Sequence, residues 1–157
     1  GYMTGSTNTS IWTHYKNGAR LYCGHTLPEG YVKNCRLSEA LLTPTTKDPN
    51  HDVPLSMTTA VTQGFIAQED ADVCAAYAHQ LFEFSTAQAA SRGLILVDTK
   101  YEFGRCIKTG KILLVDELQT PDSSRYCLAA SYDARMAQGL EPESVDKDIL
   151  RRWFIGQ

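Results

Sequence analysis

Charged side chains of both signs alternate along one stretch of the chain, LVDTKYEFGRCIKTGKILLVDE, which runs from Leu96 to Glu117. Asp98, Lys100 and Glu102 are spaced by two residues, so an extended backbone would place all three on one face of a strand. One interpretation is a half-solvated strand with alternating charges, and the pattern alone leaves that interpretation open. The other is a group of acids and a lysine that performs chemistry.

A second strand follows in ILLVDE, which is apolar until Asp116, and we expect this strand to be buried. A hairpin between the two strands would bring Asp116 towards Glu102. Two carboxylates that lie close together repel each other unless a divalent cation bridges them. Mg²⁺ commonly takes one or two carboxylates together with phosphate oxygens and water, and a nearby lysine suits a phosphate or a reacting carboxylate. The stretch therefore predicts a phosphoryl-transfer centre that uses Mg²⁺.

The segment TPDSSRY, which follows the second acidic strand, offers a further set of polar groups. Asp122, Ser123 and Arg125 lie within four positions, and hydroxyls together with an arginine suit a phosphate monoester. The alternative is a polar β-turn capped by Asp122, which is the better interpretation when the segment is considered alone. The segment is expected to be a loop rich in turns.

Two weaker signals lie nearer the start of the chain. In TGS, Ser6 precedes an expected helix, whose N-terminal N–H groups could bind an anion, although an ordinary helix cap explains the same residues. In TPTTK followed by HD, Lys47 and Asp52 lie on a proline-rich segment that cannot be one helix. Considered alone, that segment is better interpreted as a solvated loop.

The elements that would position these residues can be predicted from periodicity and capping signals. The long helix is expected between Ala67 and Gly93, with an apolar face formed by Val73, Tyr77, Leu81 and Phe84. Shorter helices are predicted in TSIWTHYKNG, SMTTAVTQG, SYDARMAQG and VDKDILRRWF, and strands at Leu94–Asp98, Tyr101–Cys106 and Ile112–Asp116. The pattern predicts an α+β fold, in which the long helix packs on a small antiparallel sheet in a single domain of residues 1–157.

Composition excludes several functional classes. Hydrophobic residues make up 43% of the 157 residues, charged residues make up 21%, and the net charge is -3, so no general affinity for nucleic acid or membranes is expected. No apolar run approaches the roughly 20 residues of a membrane span, and the first residues lack the pattern of a signal peptide. Five widely spaced cysteines without a C-x-x-C motif indicate reduced thiols in an intracellular, cytoplasmic protein. Cys23 and His25 alone do not favour a zinc site.

Several motifs together resemble one family. TGS, LPEG, TPTTK followed by HD, LVDTKYEFG and LVDELQTPDSSRY occur in this order, and the same order is typical of phosphoribosylaminoimidazole-succinocarboxamide synthase, or SAICAR synthetase. The likeness covers essentially the whole chain. It implies the central and C-terminal portion of a SAICAR synthase-like fold, which has kinase-like and ATP-grasp-like features. The sequences of GSTNTSIW and HDVPLS are most similar to those of plant and some microbial forms, so a plastid location is an alternative to the cytoplasm.

The resemblance implies an ATP-dependent ligase of purine biosynthesis. Its substrates would be ATP, L-aspartate and the imidazole carboxylate nucleotide CAIR, and its products SAICAR, ADP and phosphate. The γ-phosphoryl group would be transferred to the CAIR carboxylate, and the amine of L-aspartate would attack the acyl phosphate. Mg²⁺ would be the cofactor and ATP the co-substrate, and a homo-oligomer is expected from the family.

The resemblance also implies a role for each candidate residue. Glu102 and Asp116 would bind Mg²⁺, and Lys100 would contact the reacting carboxylate and phosphoryl group with Asp98 beside it. The remaining substrate-binding positions would surround CAIR; these are Ser6, Lys47, Asp52, Asp122, Ser123 and Arg125.

The sequence departs from the family pattern at its two ends. The family has an arginine directly before GYMTGS and an ATP-binding lobe before that arginine, and it continues with further helices after RRWFIGQ. We therefore expect the chain to be a fragment without the N-terminal ATP-binding lobe, and expect these residues alone to be inactive. Two alternatives stay open: a non-catalytic fragment or subunit that binds a nucleoside monophosphate, and a kinase-like phosphotransferase for another substrate.

Overall fold

The computed structural model describes residues 1–47 and 51–156. The chain divides into two compact units, Gly1–Ala76 and Tyr77–Gln157. The prediction of a single domain stays a prediction. The helices are α1 (Ile11–Lys16), α2 (Met57–Thr62), α3 (Gln68–Ala90), α4 (Ala129–Ala137) and α5 (Asp148–Ile155). The strands are β1 (Leu21–Tyr22), β2 (His25–Thr26), β3 (Leu94–Thr99), β4 (Phe103–Arg105), β5 (Ile112–Leu114) and β6 (Ser124–Leu128).

The first unit is built around a small apolar core whose buried members are Met3, Tyr15, Tyr22, Leu27 and Leu37. Strands β1 and β2 form a tight antiparallel hairpin, in which Tyr22 pairs with His25. The two residues between them, Cys23 and Gly24, both have positive φ angles of 49° and 85°. Two positive φ angles in a two-residue turn match the right-handed twist of the flanking strands, which explains why this turn closes so tightly.

The two short helices of the first unit occur where the capping signals predict them. Ser10 is the N-cap of α1 and Asn17 its C-cap. Ser56 is the N-cap of α2, and its side-chain oxygen accepts a hydrogen bond from the backbone N–H of Thr59 at 2.9 Å. Such a cap satisfies one of the N–H groups that the first helical turn leaves without a partner.

Backbone pairing joins the two halves of the proline-rich segment. Thr45 pairs with Pro54 in an antiparallel bridge, and the N–H of Thr46 donates to the carbonyl oxygen of Val53 at 2.9 Å. Lys47 and Asp52 follow and precede these paired positions in the sequence.

The long helix α3 forms as predicted, but its apolar face is not the buried one. Ala71, Ala78 and Ala89 are the buried side chains of this helix, whereas Phe84 is 65% exposed and Tyr77 is 43% exposed. Val73 is exposed as well. Alanine has the smallest apolar side chain and lets the neighbouring backbone approach closely, so it can form the packed face although it contributes little to a hydrophobicity pattern. The prediction that the larger residues form the packed face is wrong.

The second unit contains two separate strand pairs. β3 pairs with β6 and β4 pairs with β5, both antiparallel. The three predicted strands therefore exist but do not form one sheet. β6 begins in the segment TPDSSRY, which was expected to be a loop. The turn occupies the first part of that segment, and the strand Ser124–Leu128 starts directly after it. The α+β class is confirmed, since the chain contains helices, one of which is long, together with small antiparallel strand pairs.

Strand β5 is less buried than its apolar sequence predicts. Leu113 is 48% exposed and Val115, just past the strand, is 61% exposed. Strand β5 belongs to a sheet of only two strands. No neighbouring strand covers its other edge, so an apolar sequence does not guarantee burial here. The prediction of a buried strand leading to Asp116 is wrong for this chain.

Candidate active site

The second unit brings together a pair of oppositely charged side chains at the point where β3 and β6 meet. Asp98 and Arg125 are cross-strand partners, and Nη1 of Arg125 donates to Oδ2 of Asp98 at 2.5 Å. A β-bulge between Leu96 and Asp98 interrupts the ladder just before this pair. Bulges re-aim side chains, and this one lies where the apolar strand gives way to charged residues.

Arg125 contacts a second acid on its other edge. Its Nε lies 3.5 Å from Oδ2 of Asp148, the first residue of α5. The side chains of Arg125 and Asp148 are only 29% and 21% exposed. One guanidinium is therefore held between two carboxylates that come from different elements, β3 and α5.

The electrostatic environment of Asp98 has opposing contributions. Burial raises the pKa of its carboxyl above the usual value, the charge and hydrogen bond of Arg125 lower it, and the nearby carboxylates of Asp146 and Asp148 raise it again. The net direction is upward. Desolvation and like charge both disfavour the ionised acid, and only the contact with Arg125 opposes them.

Lys100 joins the end of β3 to the following loop. Its backbone N–H donates to the carbonyl oxygen of Ser123 at 3.2 Å, and its Nζ forms an ion pair with Oε1 of Glu102 at 2.8 Å. The Lys100 side chain is 63% exposed whereas that of Glu102 is 23% exposed. The ammonium group therefore lies at the surface, next to a carboxylate that is largely covered.

The hairpin β4–β5 pairs the backbone of Glu102 with that of Val115, the residue before Asp116, and the predicted approach of the two carboxylates stays a prediction. The N–H of Val115 donates to the carbonyl oxygen of Glu102 at 3.0 Å, and Asp116 is the next residue along the chain. Asp116 is exposed, and its Oδ1 accepts a hydrogen bond from the N–H of Glu117 at 2.8 Å. In residues 1–47 and 51–156 no group of three or more His, Cys, Asp or Glu side chains is arranged to hold a metal ion.

The loop before β6 is organised by a threonine rather than by Asp122. Oγ1 of Thr120 accepts the N–H of Ser123 at 3.2 Å, and the carbonyl oxygen of Thr120 accepts the N–H of Ser124 at 2.9 Å. Asp122 instead forms an exposed ion pair with Lys147 at 3.0 Å, a type of contact that contributes little to stability. Ser123 is thus held by the turn, and Asp122 projects into solvent from it.

The remaining predicted site residues belong to the first unit. Ser6, Lys47 and Asp52 are all exposed. Helix α1 begins at Ile11, five positions after Ser6, and Ser10 is its N-cap. Ser6 therefore precedes the helix, as predicted, and its role in binding an anion stays a prediction.

Two acids of this region were not singled out from the sequence. Asp146 is buried and accepts three hydrogen bonds, from the backbone N–H groups of Tyr126 and Asp148 and from the hydroxyl of Ser144, at 2.7–2.8 Å. Asp148 contacts Arg125. The pattern VDKD before an amphipathic run is a helix N-terminus signal, and it could have identified Asp146 as a capping residue but not its contact with β6.

All five cysteines are free thiols in this structure. Of the helices in the described part of the chain, none combines the length and the apolar character that crossing a bilayer requires.

Comparison of structures first defines the class. The chain superposes on the yeast SAICAR synthase complexed with SAICAR, from Saccharomyces cerevisiae, with a TM-score of 0.78 and 34% identity over 99% of this chain and 47% of that one. It also superposes on a type-2 SAICAR synthetase in complex with ADP, with a TM-score of 0.66 and 26% identity, covering 96% of this chain and 52% of the other. The fold is therefore that of part of a SAICAR synthase.

The sequence comparisons agree and identify the family. The family model described as SAICAR synthetase matches residues 1–157. A chloroplastic phosphoribosylaminoimidazole-succinocarboxamide synthase from Arabidopsis thaliana is 56% identical over 98% of this chain and 37% of its own length. The synthase from Legionella pneumophila is 52% identical over 99% of this chain and 49% of its own length. The chain belongs to the SAICAR synthetase family, and it spans about half the length, or less, of the relatives it matches.

Proposed function

We propose that the complete protein is an ATP-dependent ligase that joins L-aspartate to the carboxylate of CAIR and releases SAICAR, ADP and phosphate. The observation that carries this proposal is the ion pair of Lys100 with Glu102 just after β3, next to the hairpin whose second strand leads to Asp116. Family membership supports it, as do the relatives that are named as this synthase. The two superposed structures contain SAICAR and ADP, respectively.

The residues around Lys100 suit the first chemical step. A carboxylate is a poor electrophile until it is phosphorylated, and transfer of the γ-phosphoryl group of ATP to the CAIR carboxylate makes an acyl phosphate. The exposed ammonium of Lys100 would lie against the reacting oxygens and offset their negative charge. Asp98 would keep the strand end anchored through Arg125. The amine of L-aspartate then attacks the acyl carbon and phosphate leaves.

We propose that Glu102 and Asp116 would hold Mg²⁺. The backbone N–H of Val115, the residue before Asp116, donates to the carbonyl oxygen of Glu102, and Mg²⁺ commonly takes one or two carboxylates together with phosphate oxygens and water. When bound, Mg²⁺ would neutralise charge on the phosphoryl group.

The remaining candidates would recognise CAIR. We propose that Arg125 and Ser6 bind its phosphate, because a guanidinium can donate two parallel hydrogen bonds to a phosphate. Lys47 and Asp52 would lie near the imidazole and its carboxylate, as the resemblance implies. Asp122 and Ser123 would shape the same pocket. A cytoplasmic location is proposed as well, with the plastid as the alternative because the Arabidopsis relative is named as chloroplastic.

The proposal is tested by measuring ADP release from the complete protein with ATP, Mg²⁺ and CAIR, with and without L-aspartate. Release that requires both CAIR and L-aspartate is the expected result. Release with CAIR alone would indicate a kinase-like phosphotransferase, and CAIR binding without ADP release would indicate a non-catalytic binding module. We expect the 157-residue chain alone to show negligible turnover, and L-aspartate-dependent turnover by it would contradict that expectation.

A further inference from the structure

Two acids of the second unit have no part in the proposed chemistry, although their surroundings are well defined. Asp146 is 6% exposed, and a carboxylate that is buried to this extent is destabilising unless its oxygens are hydrogen-bonded. Asp148 is the first residue of α5 and faces Arg125. Both acids lie close to Arg125, Asp148 through its side chain and Asp146 through the neighbouring backbone.

The hydrogen bonds of Asp146 hold the backbone on both sides of the Arg125–Asp148 contact. Its Oδ2 accepts the N–H of Tyr126, the residue that follows Arg125 on β6, at 2.7 Å. Its Oδ1 accepts the N–H of Asp148 at 2.8 Å. A single carboxylate thereby fixes the start of α5 against the strand that carries the arginine, and Ser144 supports it with a third hydrogen bond at 2.8 Å.

The arrangement divides the edges of the guanidinium between two acids. Nη1 of Arg125 donates to Asp98 at 2.5 Å, and Nε faces Asp148 at 3.5 Å. An arginine and a carboxylate preferentially form two parallel hydrogen bonds. With Asp148 at the Nε edge, Asp98 receives a single hydrogen bond from Nη1 in this structure, and neither of these two contacts uses Nη2.

We propose that Asp146 and Asp148 are positioning residues, which hold the guanidinium of Arg125 so that its remaining donors face an anionic substrate group. This inference rests on the proposed function, in which that group is the phosphate of CAIR. Asp148 acts on the guanidinium directly, and Asp146 acts through the backbone of Tyr126 and Asp148.

Asp98 and the substrate phosphate compete for the guanidinium of Arg125, and this competition determines how neutralising Asp148 changes the affinity for CAIR. Without the carboxylate of Asp148, Arg125 can turn to form a two-point contact with Asp98, and a substrate phosphate must then break that contact. Removing a negative charge near the site acts in the opposite direction, and we propose that the loss of a fixed guanidinium orientation outweighs it. We therefore expect weaker, not stronger, CAIR binding when Asp148 is neutralised.

The test is calorimetric titration of CAIR and, separately, of ADP into the complete protein and its Asp148→Asn variant. We expect the Kd for CAIR to rise roughly tenfold, the effect of losing one charge-assisted hydrogen bond. The Kd for ADP and the Tm should stay close to those of the wild type. The effect should also disappear in an Arg125→Ala background, because Asp148 then has no guanidinium to position.

Matched variants separate positioning from general structural damage. Asp133→Asn, an exposed acid on α4, should bind CAIR as the wild type does. Asp146→Asn should lower the Tm and also weaken CAIR binding, but Asp148→Asn decides the question because it leaves the buried acid intact. An unchanged or lower Kd for CAIR in Asp148→Asn would overturn the inference, as would an equal effect in the Arg125→Ala background. A wild-type protein that fails to bind CAIR would overturn the proposed function itself, and this inference with it.

Discussion

Nζ of Lys100 lies 2.8 Å from Oε1 of Glu102, although the two residues are separated by only Tyr101. Both side chains therefore project to the same side of the backbone, as the spacing of two predicts. The ring of Tyr101 lies on the other side, 6.2 Å from that of Phe103. This division separates a charged surface from an aromatic one, and it is the local basis for the proposed reaction centre.

The metal assignment predicts a specific loss of activity. Asp116→Asn should abolish Mg²⁺-dependent ADP release by the complete protein, because an amide is a much weaker ligand for a hard cation than a carboxylate. Asp116 is exposed, so the variant should unfold at the same urea concentration as the wild type. Activity as a function of Mg²⁺ concentration is the measurement, and unchanged turnover at every concentration would refute the assignment.

The role of Arg125 predicts a difference between the two substrates. Arg125→Ala should raise the KM for CAIR and leave the KM for ATP nearly unchanged, since each charge-assisted phosphate contact contributes roughly 1.5–3 kcal/mol. Steady-state kinetics with each substrate varied in turn provides the comparison. Because the variant also removes the partner of Asp98, its Tm must be recorded alongside. An equal rise in both KM values would place Arg125 in a different pocket.

The environment of Asp98 predicts how its replacement changes stability with pH. Its pKa is raised in the folded state, so the folded protein favours the protonated acid, and ionisation as the pH rises through the folded pKa costs stability. Asp98→Asn cannot ionise and avoids this cost. The free energy of unfolding of the variant relative to the wild type should therefore be more favourable at pH 7 than at a pH below about 4, the unfolded pKa of aspartate.

Urea unfolding at the two pH values tests this prediction. Asp133→Asn is the matched control, because Asp133 is an exposed acid of the same unit. If the stability of Asp98→Asn relative to the wild type decreases from acidic to neutral pH, Arg125 outweighs burial. The pKa of Asp98 would then be lowered, not raised.

The cap of α2 predicts a change in stability that is independent of any activity. Ser56→Ala removes the oxygen that accepts the N–H of Thr59 at 2.9 Å, and the loss should be about 1 kcal/mol in the free energy of unfolding. Thr58→Ala, at an exposed position of the same helix, serves as the control and should change stability by less. Equal stability of Ser56→Ala and the wild type would mean that water replaces the cap at no cost.

Local patterns were sufficient for much of the fold and for the residue types of the site. Ser56 marks the start of α2 because its capping hydrogen bond joins residues that are close in sequence. The charged face of Asp98, Lys100 and Glu102 follows from the period of an extended chain, and their combination with TPDSSRY indicates the family. These features depend on contacts that are close in sequence, so the sequence was enough to predict them.

Contacts between distant segments decided the rest. Which strand pairs with β3 depends on the packing of residues about 30 positions apart, and no local pattern distinguishes β6 from the loop before it. The buried face of α3 is formed by alanines, which a hydrophobicity pattern does not distinguish because their side chains are small. The three hydrogen bonds of Asp146 and the placement of Arg125 between Asp98 and Asp148 likewise arise only where β3, β6 and α5 meet, because charge and burial there depend on all three elements at once.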